Sequence, residues 1–473
     1  MSANREHFSS KLGFILAAAG SAVGIGNLVG FPVAAAKNGG GAFLFIYAVF
    51  IVLICLPVMM AEMAVGRHTN KDPLGAYNTI SNDDSKWKVA GWLGIITPFM
   101  IAVFYLVITV WIFGYLFQAL TGNLAGLADP SMFGDFINSN TLFIYMVVVV
   151  AITGAILMSG VKEGIERAAK ILMPSLFLLL ILLVVYVLTL DNAFAGVAYY
   201  VLPDFSKING SVISGALSQA FFSLSLGMGI LVTYGSYMSK KQDIVDSSKL
   251  VALTDTGVAF IAGLMILPAI FSFDPQVNPE ELSDSSVSLI FVLLPKIFLS
   301  LQMDIGYVGA SAIASVFFLL VFFAAITSLV SIIEVPNAAL MDEAKINRKK
   351  SLTILAVAMI FLSVLASMSF GMWEPVTNMV NYAGANKSLF DVIYDVFYDT
   401  ILPLNGLLIC LFVMTRWKKV NFNNELMEGV ESGSHKFLLK YSDFALKTFI
   451  PIILAIVFIN TVALKYFGHK LFF

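Results

Sequence analysis

Little in this chain suits chemistry in water. Only two of its 473 residues are cysteine, and only 12% are charged. Cys55 and Cys410 both lie in apolar stretches, so neither a disulfide framework nor a cysteine metal site is expected. The four histidines, His7, His68, His435 and His469, lie outside the apolar cores and show no paired metal spacing. No paired carboxylates, serine–base pair or histidine–metal spacing supports an enzyme. The net charge of −2 gives no electrostatic reason for a nucleic-acid partner. The N-terminus has no short apolar region leading to a small-residue cleavage site, so no removable signal peptide is expected.

What is abundant is apolar surface. Hydrophobic residues make up 59% of the chain, and its mean hydropathy is +0.89. That excludes an ordinary soluble domain and predicts an all-α polytopic protein in a lipid bilayer. Apolar stretches cover 12–36, 42–65, 89–120, 141–159, 171–190, 212–238, 251–272, 304–334, 352–370, 389–415 and 442–467, which is eleven spans. Several exceed the roughly 20 residues a bilayer needs, so they tilt or extend into water. With the N-terminus in the cytoplasm, only Lys37, Lys207, Lys296, Lys387, Lys465 and Lys470 of the 28 Lys and Arg fall outside. That bias predicts a multi-pass plasma-membrane protein with a cytoplasmic N-terminus and an extracellular C-terminus.

Two of these spans are interrupted. The first carries Gly20-Ser21-Ala22-Val23-Gly24-Ile25-Gly26-Asn27 at its centre, and the sixth carries Ser223-Leu224-Ser225-Leu226-Gly227-Met228-Gly229-Ile230. Glycine is a weak helix former, so each helix is easily broken there. Broken backbone inside a bilayer is tolerated only where it is buried in protein or lines a cavity. Its freed carbonyls can hold a cation and its freed amides an anion. A glycine-rich packing face is the alternative for one such stretch. Two in matching places of two halves point instead to an inverted-repeat transporter with its site at the midplane.

Other polar residues sit at similar depth. Ala324, Thr327, Ser328 and Ser331 form one stripe along the eighth span. Such hydroxyls either bond their own backbone or offer oxygens to a hard cation such as sodium. Asp255 in the seventh span is the candidate ion ligand, and Glu62 in the second is read as a structural group tying loose backbone together. Gly164 and Pro174 flank nine residues at the inner end of the fifth span. That end either unwinds to admit water or simply begins its helix near the proline. The long outer connection 273–303 has an apolar patch at Leu289–Leu294, which either dips back as a lid or runs as a surface loop.

Arg5-Glu6-His7, Gly20–Asn27, Phe31-Pro32, Asn38–Phe43, Glu62 with Gly66-Arg67, Phe221–Gly229 and Ala324 with Thr327-Ser328 together carry a resemblance. From Arg5 to about Arg416 the chain resembles the neurotransmitter:sodium symporter family, and especially its shorter, eleven-helix bacterial amino-acid transporters. The resemblance implies an inverted five-helix repeat, helices 1–5 and 6–10, with helices 1 and 6 unwound and helix 11 added. Residues 1–418 would form the transporter core, and 419–473 a cytoplasmic linker with the eleventh helix.

It also implies two sodium sites. The first would use Ala22, Asn27, Ser223 and Asp255, and the second Gly20, Val23, Ala324, Thr327 and Ser328. The substrate carboxylate would meet the amides of Gly24, Ile25 and Gly26, the first sodium and Tyr105. The amino group would meet carbonyls near Ala22, Phe222, Ser223 and Ser225. Ile101, Tyr105, Phe222, Ser225, Met228, Ser328 and Ile332 would line the side-chain pocket. An inner gate would pair Arg5 with Asp342, braced by Ser236 and Tyr237.

Several positions depart from the family pattern. Gly30 stands where an outer-gate arginine is usual, so Asp391 and Asp395, near the usual acidic partner, lack that cation. Phe8 replaces a tryptophan at the inner gate, and Met228 a phenylalanine in the pocket. Relatives that need chloride place it at the positions of Tyr47, Gln219, Ser223, Asp255 and Ala259, with asparagine for Asp255 and serine for Ala259. Here the fifth position cannot hydrogen-bond an anion, and a carboxylate lies one turn back, so chloride is not expected to be required. The function implied is sodium-coupled symport of hydrophobic or aromatic L-amino acids into the cell by alternating access. An ion channel or leak protein on the same helix framework is the alternative. The expected partners are a small amino-acid substrate and the bilayer, with the chain acting as a monomer or weak dimer.

Overall fold

The computed structural model describes residues 6–279, 286–430 and 434–471. Among these, nine helical stretches are long and apolar enough to cross a membrane. They are helix 2 (Gly41–Thr69), helix 3 (Ser85–Leu120), helix 4 (Thr141–Met158), helix 5 (Val161–Val187), helix 7 (Ile244–Phe273), helix 8 (Gln302–Glu343), helix 9 (Arg348–Met368), helix 10 (Leu389–Met427) and helix 11 (Phe449–Phe467). Helix 1 is a pair, Lys11–Ala22 and Gly26–Lys37, bent by 56°. Helix 6 is a second pair, Gly210–Ser223 and Ile230–Ser236. Each of the eleven expected spans thus has a helical counterpart among the described residues, the sixth only as two short pieces, and the two broken ones open the two five-helix halves. Below, the inner face is the one reached by residues 6–10, and the outer face is opposite.

Each break has a local cause. Ser10 caps helix 1, its hydroxyl accepting from the Gly13 amide at 3.0 Å, and the first half ends where the Val23 amide reaches the Ala19 carbonyl. At Gly24 a Cβ would come within 2.8 Å of the Tyr105 and Ser328 hydroxyls, so only glycine lets those side chains approach the bend. In helix 6, Ser225, Gly227 and Gly229 all adopt positive φ, at 55°, 77° and 68°. Three left-handed residues within five cannot continue a right-handed helix. The loose backbone is tied from outside: Glu62 of helix 2 accepts from the Gly227 amide at 2.7 Å, and Asn405 of helix 10 donates to the Gly227 carbonyl at 2.8 Å. Glu62 therefore has the structural role read from the sequence.

Helices 1, 3, 6 and 8 surround the two breaks, and helix 7 packs behind them. The connection after helix 7 resolves one open alternative. Leu289–Ser300 is a short apolar helix that buries Leu289, Ile290, Phe291, Leu294, Ile297 and Phe298. The Tyr115 hydroxyl of helix 3 donates to the Phe291 carbonyl at 3.1 Å, and Phe291 stacks on Phe133 at 4.9 Å. It is a packed cap and not a free surface loop. A two-stranded hairpin, Val380–Tyr382 with Ala385–Lys387, precedes helix 10 and had no signal in the sequence. Helix 10 leaves helical geometry at Lys418 (φ 71°), before Lys419–Met427.

Candidate functional site

The two breaks face each other, and three of the residues expected at the first sodium site meet between them. The Asn27 amide donates to Asp255 Oδ1 at 2.6 Å and to Ser223 Oγ at 3.0 Å, and Ser223 Oγ donates to Asp255 Oδ2 at 2.7 Å. Tyr47 reaches the same two side chains, at 3.2 Å from Ser223 Oγ and 3.4 Å from Asp255 Oδ2. All four are buried, and so is Ala22 at the end of the first half of helix 1. Among the described residues no lysine, arginine or histidine pairs with Asp255. A buried carboxylate supplied only with neutral donors is costly unless a cation joins it. The chemistry of this donor set fits a small monovalent cation.

The second oxygen cluster lies at the other side of the helix 1 break. Ser328 Oγ of helix 8 is 3.1 Å from the Ser21 carbonyl, 3.3 Å from Val23 and 3.4 Å from Gly20. A hydroxyl has one proton, so at most one of those carbonyls is well served. The remaining oxygens converge without donors, which suits a hard cation. Thr327 differs from its neighbour. Its hydroxyl bonds the Phe323 and Ala324 carbonyls of its own helix, both at 3.0 Å, which is the backbone-bonding alternative for this stripe. It nevertheless lies beside the site, because a Cβ at Gly20 would sit 3.4 Å from the Thr327 Cβ.

Helix 5 covers this cluster. Met173 packs 3.3–3.4 Å from the Cβ position of Gly20, immediately before Pro174. Pro174 lies inside the helix and has no N–H, so the Lys170 carbonyl loses its usual partner. Gly164 lies in the π-helical first segment, Val161–Glu166. Glu166 fastens this end to the N-terminal segment, accepting from the Ser9 amide at 2.7 Å and from Lys170 at 2.6 Å. Pro174→Ala restores the missing hydrogen bond and stiffens the cover. It is expected to slow uptake by roughly 10-fold, about 1.4 kcal/mol on the limiting step, with little change in sodium affinity. Equal changes in rate and sodium affinity, or none in either, would count against a water path here.

Between the two clusters the helix 1 bend presents amides outside the helical ladder, held by side chains. Tyr105 Oη accepts from the Ile25 amide at 3.4 Å, Asn27 Oδ1 accepts from Gly24 at 3.2 Å, and Gly26 is exposed with open space at its Cβ position. Ser225 donates to the Ser21 carbonyl at 3.2 Å, and Gln219 of helix 6 to the Gly26 carbonyl at 3.3 Å. Ile101 on helix 3, Met228 in the helix 6 break and Ile332 on helix 8 are buried. Phe222 is half-buried and turns toward helix 10, where it stacks on Tyr398 at 4.7 Å. Tyr398 had not been identified from the sequence.

The inner closure joins the N-terminal segment to helices 6, 8 and 9. Arg5 lies outside the described residues. Asp342 Oδ2 accepts from the Asp72 amide at 3.0 Å, and the Ser236 hydroxyl bonds the Thr233 carbonyl of its own helix. Burial, followed by the charges of Asp342 and Glu343, raises the pKa of the Asp72 carboxyl on this inner surface. Tyr237 donates to Glu334 Oε1 at 2.8 Å, and Arg348 grips the same carboxylate at 2.7–3.1 Å. Phe8 packs edge-on against Phe14, Tyr234 and Tyr237, so the tryptophan replacement keeps an aromatic plug. The sequence signal for Glu334 was there: it is an acidic residue at the end of a long apolar run.

The sequence profile of the Sodium:neurotransmitter symporter family matches residues 5–129 and 131–470. The sodium-dependent transporter YhdH of Bacillus subtilis is 34% identical over 466 residues, covering 97% of this chain and 98% of that protein. A sodium-dependent transporter of Methanocaldococcus jannaschii is 35% identical over 388 residues, with 78% and 76% covered. The human sodium- and chloride-dependent taurine transporter is 27% identical over 345 residues, with 62% and 54% covered. Among solved structures, the crystal structure of MhsT in complex with L-phenylalanine superposes with a TM-score of 0.81 at 37% identity, covering 96% of this chain and 99% of that one.

Proposed function

The chain belongs to the sodium:neurotransmitter symporter family of sodium-dependent membrane transporters, and from that premise we propose that it carries hydrophobic and aromatic L-amino acids into the cell together with two sodium ions. The observation that carries this reading is the placing of helix 1 amides bonded only by side chains, at Gly24 and Ile25, and of the Tyr105 hydroxyl beside the Asn27–Ser223–Asp255 cluster. An amino acid's carboxylate set against Gly24, Ile25 and Gly26 lies next to the first sodium and completes its oxygen shell. Each ligand then binds better when the other is present, which is the coupling that symport needs. Carbonyls near Ala22, Phe222, Ser223 and Ser225 take the ammonium group. Ile101, Phe222, Met228 and Ile332 offer the side chain no charge, and methionine adapts to large ligands. The second sodium binds Gly20, Val23, Ala324, Thr327 and Ser328 and holds helix 1 against helix 8. Chloride is not required, the N-terminus is cytoplasmic and the C-terminus extracellular.

Proteoliposomes with an inward sodium gradient test the reading. Saturable, sodium-dependent uptake of labelled leucine, tyrosine or tryptophan is expected, with little for aspartate or lysine. Strong uptake of a charged amino acid would overturn the substrate class. Sodium flux that neither saturates nor carries an amino acid would favour the leak protein.

A further inference from the structure

One stretch of helix 10, Tyr394–Ile401, is wound as a π-helix, as is Phe412–Trp417 further along the same helix. It carries two side-chain pairs, each spaced by four residues. Tyr394 and Tyr398 point into the bundle, where Phe104 lies 5.3 and 5.9 Å from them and Phe222 stacks on Tyr398. Asp395 and Asp399 point toward helix 11. There Lys465 Nζ lies 2.9 Å from Asp395 Oδ1 and 2.6 Å from Asp399 Oδ2. The second Asp395 oxygen accepts from the Tyr382 hydroxyl at 2.8 Å and pairs with Lys387 at 3.4 Å. Asp391 is used elsewhere, in a capping box with Ser388.

Helix 11 is otherwise peripheral, with Ile452, Ile459, Leu464 and Phe467 exposed along it. The aspartates are not: their side chains are 5% and 16% exposed. Two like charges one turn apart and largely out of water repel, and both need a counter-charge. Lys387 reaches Asp395 from the hairpin. The ammonium on helix 11 touches both carboxylates at once. Because the aspartates and tyrosines share one short stretch, fixing the first pair fixes the second.

We propose that Lys465 is the cationic half of the outer gate: by holding Asp395 and Asp399 it holds Tyr398 against Phe222 and so sets outer access to the substrate recess. The proposal rests on reading that recess as the amino-acid site. It makes helix 11 a positioning part of the transport cycle.

A cysteine at Gly30, which is half-buried with ordinary helical φ, reports outer access through labelling by a membrane-impermeant methanethiosulfonate. The native Cys55 and Cys410 are buried. In sodium, Lys465→Met is expected to raise the labelling rate about 10-fold and to speed release of bound leucine similarly, as a loss of ~1.4 kcal/mol would. Lys465→Arg keeps the charge and should stay within about twofold of the parent. Lys465→Met with Asp399→Asn removes one charge of each sign and should return most of the way. A Lys465→Met protein that labels at the parent rate would overturn the proposal. So would a double variant as open as the single one. Labelling needs no substrate, so a wild type that carries no amino acid would sink the substrate reading without obscuring the gate result.

Discussion

Thr327→Ala combined with Ser328→Ala is expected to abolish sodium-driven uptake in a protein that still inserts and stays folded. Alanine suits a helix, so the backbone of helix 8 should survive. What goes is oxygen. Ser328 is the side chain that bridges helix 8 to the carbonyls of Gly20, Ser21 and Val23. Thr327 bonds its own backbone with its hydroxyl at the edge of the same cluster. Contacts of a charged group to such oxygens contribute about 1.5–3 kcal/mol each, so losing two costs sodium binding roughly 100-fold or more. Thr327→Ser keeps the oxygen and should retain uptake. Sodium dependence that is unchanged in the double alanine variant, measured as the sodium concentration giving half-maximal uptake, would show that the stripe only packs.

The fold was legible wherever local sequence carries the physics. Long apolar runs set the spans, and glycines with serine and asparagine inside two of them marked the breaks at Gly20–Asn27 and Ser223–Ile230. The buried polar cluster was legible for the same reason: Asn27, Ser223 and Asp255, the proposed ion ligands, are polar where polarity is expensive. What stayed hidden depends on pairing between distant elements. Glu334 meets Arg348 and Tyr237, and Asp399 meets Lys465, across helices whose mutual register no sequence period encodes. The π-helical winding of Tyr394–Ile401 was hidden too, since it shifts side chains by tertiary packing and not by propensity. The absent arginine at Gly30 was visible, but only the packed helices show which lysine faces the aspartates. Thr327 shows the opposite limit: its position beside the site was legible, but its choice of hydrogen-bond partner was not.

Asp255 should decide which ion completes the first site. Its carboxylate collects donors from Asn27, Ser223 and Tyr47 in a fully buried place, and it is the negative charge nearest to the proposed sodium. Opposite charges attract strongly at low dielectric, so this fixed charge neutralises sodium without help from a bound anion. Wild-type uptake is therefore expected to persist when gluconate replaces chloride. Asp255→Asn keeps the shape and removes the charge. Breaking a buried ion pair typically costs about 3–5 kcal/mol, so uptake should fall by roughly 100-fold to a few thousand-fold. Ala259, one turn further along helix 7 and equally buried, offers no donor to an anion. Adding Ala259→Ser supplies a hydroxyl, and with Tyr47 and Ser223 nearby the pocket then has donors for chloride where the carboxylate stood. The double variant should recover uptake in chloride and lose it again in gluconate. Wild-type uptake that collapses without chloride, or a double variant indifferent to it, would show that the compensating charge does not sit at Asp255.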